Sequence, residues 1–223
     1  MKRYILIPII LLLLAGCTPQ HDETIADRSV PVDTTTIIKD GRTITRDAFQ
    51  SLSSKLGQAV QEGGISYALQ FCNVEALPIT DSLSAHHSVE LRRASHRPRN
   101  PANRADSLEM KTIRSYLSQL EDQRQRQDED QKDLDPRVYI DNGHIIYHAP
   151  IVINKGLCLN CHGSEGAQIQ EKNLELIRQL YPDDEATGFE IGELRGIWSV
   201  EFPETYFENK KTETREGTRA EEP

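Results

Sequence analysis

Cys158-Leu159-Asn160-Cys161-His162 is the stretch whose residue types and spacing point most directly to chemistry. Two thiols separated by two residues can reach both vinyl groups of one porphyrin and form thioethers. The next residue then brings its imidazole beneath the iron as an axial ligand. This spacing is the c-type haem attachment signature. Gly163 follows and lets the backbone pass close to the ring. Two rival chemistries use the same residue types. A structural zinc site would take Cys158, Cys161 and His162 with a fourth ligand from Cys72 or another His. A thioredoxin-like pair would open a helix after a strand. Neither rival explains a histidine directly after the second cysteine, so the motif predicts one covalently attached haem c.

The chain has four cysteines, Cys17, Cys72, Cys158 and Cys161. Residues 1–16 read as a signal peptide: Lys2 and Arg3 precede an apolar run from Ile5 to Leu14, too short to span a bilayer comfortably. The run closes in Leu14-Ala15-Gly16-Cys17, which resembles the lipobox of bacterial lipoproteins. That resemblance implies cleavage before Cys17 and a lipid on its sulfur. Cys72 is then left without a disulfide partner. It lies four residues after Ala68 on a helical face, beside Leu69. Two readings stand for it, a ligand on the far side of the iron or a buried inert thiol. Met110, His21, His86, His87, His96, His144 and His148 are the other candidates for that position.

Several elements must position these groups. Residues 17–43 are polar and read as a tether. Phe49, Leu52, Leu56 and Val60 recur at helical spacing, and Gly63-Gly64 ends that helix. A second helical stretch starts near Ser66, carries Cys72 and is disturbed at Pro78. Residues 88–95 alternate as a strand, and Arg97 to Asn103 forces a turn. A third helix sets Leu108, Ile113, Tyr116, Leu117 and Leu120 inward. Residues 121–135 are polar and read as its solvated end. Val138-Tyr139-Ile140 and Ile145-Ile146-Tyr147 flank Asp141-Asn142-Gly143-His144, a hairpin signal. Pro150 predicts an edge or a bulge in the second of these strands. A fourth helix runs from Ile169 to Leu180, and a last strand from Leu194 to Phe202. This order predicts an α+β domain over 44–208, with a small antiparallel sheet flanked by helices, and a disordered charged tail over 209–223.

Four blocks in this order resemble a family of PAS-like c-type haem domains. They are Ala68-Leu69-Gln70-Phe71-Cys72; then Leu91-Arg92-Arg93-Ala94-Ser95 with Arg99-Asn100-Pro101-Ala102-Asn103; then Tyr147-His148-Ala149-Pro150-Ile151 leading to Cys158–Gly163; and last Tyr181-Pro182, Ala186-Thr187-Gly188, Gly192, and Gly196 to Trp198-Ser199-Val200. The resemblance covers residues 48–203. Members of the family are single exported proteins or extracytoplasmic sensor portions of bacterial signalling proteins. It implies that His162 and Cys72 are the two axial ligands of the iron. No kinase or cyclase transmitter accompanies the domain. Arg92, Arg93, Arg97 and Arg99 are candidates to pair with haem propionates, Arg99 first among them. The competing reading is a solvated basic strand and turn.

The formal net charge is −9, and loss of Lys2 and Arg3 with the leader makes it more negative by two. Such a surface repels phosphate backbones, so nucleic acid is not an expected partner. The expectation is a protein of the bacterial cell envelope, lipid-anchored on its periplasmic or outer-surface side. It would act as a haem-based redox or small-ligand sensor without its own output domain, and not as an enzyme. It would have an unknown protein signalling or redox partner. The alternative is a membrane-anchored electron carrier. A thiolate/His pair stabilises ferric iron and disfavours that second role in a mid-potential chain.

Overall fold

The computed structural model describes residues 33–126, 133–141, 143–208 and 210. The expected leader, lipidated Cys17, most of the tether, Asn142 and the charged tail lie outside the described residues. The fold is α+β, as expected: a four-stranded antiparallel sheet flanked by helices. Strands β1 (Glu90–Ala94), β2 (Arg137–Asp141), β3 (His144–Val152) and β4 (Leu194–Phe202) are arranged in the order β1-β4-β3-β2. β2 and β3 form the expected hairpin, with Gly143 at φ +83 in its turn. Pro150 is tolerated because the pairing with β2 ends at His148, and a register shift follows at Ile151/Val152. Among the described residues no helix is long and apolar enough to cross a membrane.

The tether ends earlier than expected, because helix α1 (Thr34–His87) begins inside it. Asp33 caps the helix by accepting from the Thr35 amide, and Ile37, Gly41, Ile44 and Ala48 make a buried stripe. That stripe packs with Leu91, Tyr147, Trp198 and Val200 of the sheet. Scattered among polar residues, it does not stand out as an apolar run. Gly41 allows the helix to lie on the Tyr147 ring, where a Cβ would come within 2.5 Å. Phe49, expected inside, is 44% exposed, since Ala48 takes the inner position.

Gly63 and Gly64 break α1 into two arms. His87 Nε2 lies 3.4 Å from Asp47 Oδ2. A straight helix would hold those residues about 60 Å apart, so the second arm folds back on the first. Gly64 makes the reversal at φ +71, ψ −168, a region only glycine occupies readily. The returning arm continues through Pro78 to His87. Val74, whose carbonyl loses its donor there, is 64% exposed and open to water.

Helix α2 (Ser107–Gln125) covers the other face, opened by a capping box of Asp106 and Glu109. Ile113 and Tyr116 pack with Ala94, Leu194 and Ile197. Leu117, expected inside, is 37% exposed, because Glu109, Thr112, Ile113 and Tyr116 form the inner stripe. His148 is fully buried under this helix. Its Nδ1 meets Thr112 Oγ1 at 2.8 Å and its Nε2 meets Ser199 Oγ at 3.1 Å. Both ring nitrogens are therefore engaged, and burial pulls its pKa from 6.5 to about 4. Two short helices complete the domain, α3 (Gly156–His162) and α4 (Glu171–Leu180).

Two outcomes follow. Gly64→Ala should destabilise the fold by about 1–3 kcal/mol in urea unfolding, whereas Gly57→Ala, mid-helix with nothing within 4 Å of the new methyl, should stabilise it by about 1 kcal/mol. Equal effects would contradict the reversal at Gly64. His148 is neutral in the folded state and charges readily when unfolded. Stability should therefore fall as pH drops from 6.5 towards about 4, with His148 contributing up to about 3 kcal/mol of that loss. His148→Gln should flatten this part of the pH profile.

Candidate functional site

Helix α3 carries Cys158 and Cys161 three residues apart, so both thiols share one face. They enter different apolar surroundings. Cys161 packs with Leu69, Ile169 and Leu174, while Cys158 packs with Ile153, Ala186 and Phe189. The helix closes at Gly163, where a Cβ would meet the Leu159 carbonyl at 2.6 Å. The loop that follows α4 is stitched to this end: the Phe189 amide donates to the His162 carbonyl and the Gly188 amide to the Gly163 carbonyl, both at 2.8 Å.

His162 Nδ1 lies 2.8 Å from the Ala186 carbonyl oxygen. A carbonyl only accepts, so Nδ1 carries the proton and Nε2 keeps its lone pair. Burial, reinforced by Arg195 and Arg99, pushes the imidazole pKa well below its usual value. The ring is therefore held neutral, with Nε2 left able to donate to a metal. Phe189 meets it edge-on, with centroids 6.3 Å apart.

Cys72 sits on the returning arm of α1, next to the buried Ala68 and Leu69. Burial raises its pKa, against the pull of Arg93 and Arg99. Cys161 is pushed up to about 11 by burial, with Arg99 opposing and Cys72 and Cys158 adding to the rise. The structure thus brings Cys72 and the attachment helix into one electrostatic neighbourhood. Cys72, Cys158 and Cys161 are all free thiols.

Arg99 has a different place from the one expected. Its fork is not open to a cofactor carboxylate but holds Asp184, with Nε to Oδ1 and Nη2 to Oδ2 both at 3.1 Å. Nη2 also donates to the Cys161 carbonyl at 2.6 Å. The pair is only 11% and 8% exposed, so it is no solvated basic turn either. Arg92 is likewise taken, by Glu109 at 2.8 and 2.9 Å. Arg97 donates to the carbonyls of Glu185 and Thr187. Arg93 Nε, Arg195 Nε and His96 Nδ1 are buried without a hydrogen-bond partner. Burial lowers Arg93, and burial with Arg99 and Arg93 nearby pulls Arg195 down to about 9.

The other candidate ligands are placed elsewhere or differently used. Met110 packs beside Ile113 and Tyr116, His144 pairs with Glu201 at 3.0 Å, and His86 and His87 stack at the end of α1. His148 is held under α2, and His21 lies outside the described residues. His96 alone approaches the site, edge-on to Phe189 at 6.3 Å. The sequence reading missed Asp184, Phe189 and Arg195. Nothing local separates Asp184 from its neighbour Asp183. Arg195, a lone cation in an apolar strand, was a usable signal.

The rival chemistries fare worse. Among the described residues no group of three or more His, Cys, Asp or Glu side chains is placed to hold a metal ion, which removes the support for a zinc site. The cysteine pair does follow a strand on a helix, but a Cys161 thiol raised to about 11 is the reverse of an activated redox thiol. A tetrapyrrole fits better. The site offers two thiols on one helical face, an imidazole with a free Nε2, and buried cationic donors with nothing to bind.

No curated protein matches the chain. A solved structure, that of the cyanobacterial haem protein Tll0287, shares its fold at a TM-score of 0.52 and 21% identity, covering 77% of this chain and 97% of the other. The Tll0287-like family model matches residues 23–203, most of the chain and all of the site. The chain therefore belongs to the Tll0287-like family.

Proposed function

We propose that this chain is an exported, lipid-anchored protein that holds one covalent haem c on Cys158, Cys161 and His162 and serves as a haem-based redox or small-ligand sensor. The observation that carries the haem assignment is the His162 Nδ1 contact with the Ala186 carbonyl. It presets the ligating tautomer beside two thiols on one helical face. Membership of a family named for a haem protein supports the same reading. Bound there, the haem supplies a redox-active iron whose potential the axial ligands set.

The residues divide the work. Cys158 and Cys161 anchor, and the loop from Asp184 to Phe189 orients His162. Cys72 would be the second residue to hold the iron. Burial disfavours its charged form, and Arg93 and Arg99 work against that penalty. A ligand so balanced is released easily when the charge beside it changes. Its arm is joined to the rest of α1 at the Gly63-Gly64 reversal, so a displaced Cys72 moves an element that packs against α3 and α4. That coupling favours sensing over plain electron carriage. The small antiparallel sheet flanked by helices is consistent with a PAS-like sensor domain. In this reading the domain reports to a protein partner in the cell envelope.

The protein expressed with its maturation machinery should keep haem staining on a denaturing gel, and Cys158→Ser with Cys161→Ser should abolish it; staining that survives in the double variant rules out thioether attachment. Ferric spectra should show thiolate charge-transfer bands that vanish in Cys72→Ala, and carbon monoxide should bind the reduced variant faster than wild type. Identical spectra and rates would leave Cys72 as packing. Labelling with a fatty-acid analogue should mark the full-length protein but not Cys17→Ser.

A further inference from the structure

The guanidiniums near the site differ in their partners: Arg97 is held by the carbonyls of Glu185 and Thr187 and lies over the Phe189 ring. Arg92, Arg99 and Arg104 each have a carboxylate partner, Glu109, Asp184 and Glu185. Arg93 and Arg195 have none within ion-pair distance among the described residues, and the Nε of each is buried without a hydrogen-bond partner. Arg195 is held in place from one side only: Nη1 donates to Ser95 Oγ at 2.8 Å and to the Arg97 carbonyl at 3.1 Å. Its guanidinium lies 5.4 Å from the centre of the Phe189 ring, the same ring that His162 and His96 meet edge-on. Arg93 stands on β1 opposite Trp198, and its charge is felt at both Cys72 and His162. Each of these two cations thus keeps an unused Nε, and both act on His162.

A buried charge left unpaired is among the costliest features a fold can carry, and it points to an anion that arrives from outside the chain. Guanidinium forks match carboxylates in shape as well as charge. We propose that Arg93 and Arg195 seat the two carboxylates of the bound tetrapyrrole, with His96 Nδ1 as a third donor beside Arg195. The proposal rests on the haem reading above and assigns to Arg195, a residue of β4, a role that Arg99 cannot fill while it holds Asp184. Arg93 and Arg195 differ from Arg97 in that the Nε of each is buried and unused, whereas Arg97 spends its donors on backbone carbonyls.

The test uses holoprotein with covalent haem: wild type, Arg93→Gln, Arg195→Gln, Arg195→Lys, and Arg178→Gln as an exposed control. Haem per protein should be equal in all five. Removing either buried cation leaves a carboxylate uncompensated and favours ferric iron. The midpoint potential should therefore move negative in Arg93→Gln and Arg195→Gln, recover in part in Arg195→Lys, and stay unchanged in Arg178→Gln. The propionate bending bands in resonance Raman spectra should shift in the same variants. Unchanged potentials and bands at full haem content overturn the proposal. So does a wild-type potential that depends on added inorganic phosphate and loses that dependence in Arg195→Gln, since the guanidiniums would then hold a free anion. If Arg195→Gln does not accumulate folded, Arg195→Lys and Arg93→Gln decide alone. A wild type without covalent haem overturns the reading beneath the proposal, and the proposal with it.

Discussion

Arg99 lies where three distant stretches of chain meet. It comes from the turn after β1, its two nitrogens grip Asp184 in the loop after α4, and one of them also reaches the Cys161 carbonyl at the end of α3. Asp184 in turn accepts from the Ala186 amide at 2.9 Å, and the Ala186 carbonyl accepts a hydrogen bond from His162 Nδ1–H. The orientation of the imidazole is thus the last link of a chain that starts at a buried ion pair. In such burial, losing one partner costs about 3–5 kcal/mol because the other is left charged and unsolvated. That penalty holds the attachment helix and its loop in one arrangement.

Around this knot the protein reverses its own electrostatics. The whole chain is formally −9, yet the groups that act on His162 are led by Arg195, Arg99 and Arg93. Among the described residues only Arg99 of these has a carboxylate partner within ion-pair distance. Burial keeps His162 neutral and these cations reinforce it, while Arg93 and Arg99 oppose the penalty that burial places on a Cys72 thiolate.

The sheet sorts structural work from site work by face. On one face α2 covers Ala94, Leu194 and Ile197, and His148 is consumed in a closed network with Thr112 and Ser199. On the other face the first arm of α1 supplies the core, and the returning arm carries Cys72 towards α3 and α4. Histidines that look equivalent as ligand candidates therefore have opposite fates. His148 is a core residue, and His96 stands beside the site.

What the sequence determined by itself was local chemistry. The spacing of Cys158, Cys161 and His162 marks an attachment motif, Asp141 to His144 marks a hairpin turn, and the run from Leu194 marks the last strand, because each depends on neighbours a few residues away. The start of α1 was hidden, since its buried residues are spread over three turns of polar chain and show as a stripe only once the sheet lies against them. The Gly63-Gly64 break was legible as an end but not as a reversal; the direction of the second arm depends on contacts such as Asp47 with His87. Tertiary structure alone decided which arginine holds what. Arg92, Arg93, Arg97 and Arg99 are alike as a sequence, and their roles diverge because burial makes a guanidinium depend on whichever carboxylate the fold brings within reach. Asp184 reaches Arg99 and, among the described residues, no carboxylate reaches Arg93, a difference written in the packing of the loop after α4 and in no local pattern of residues.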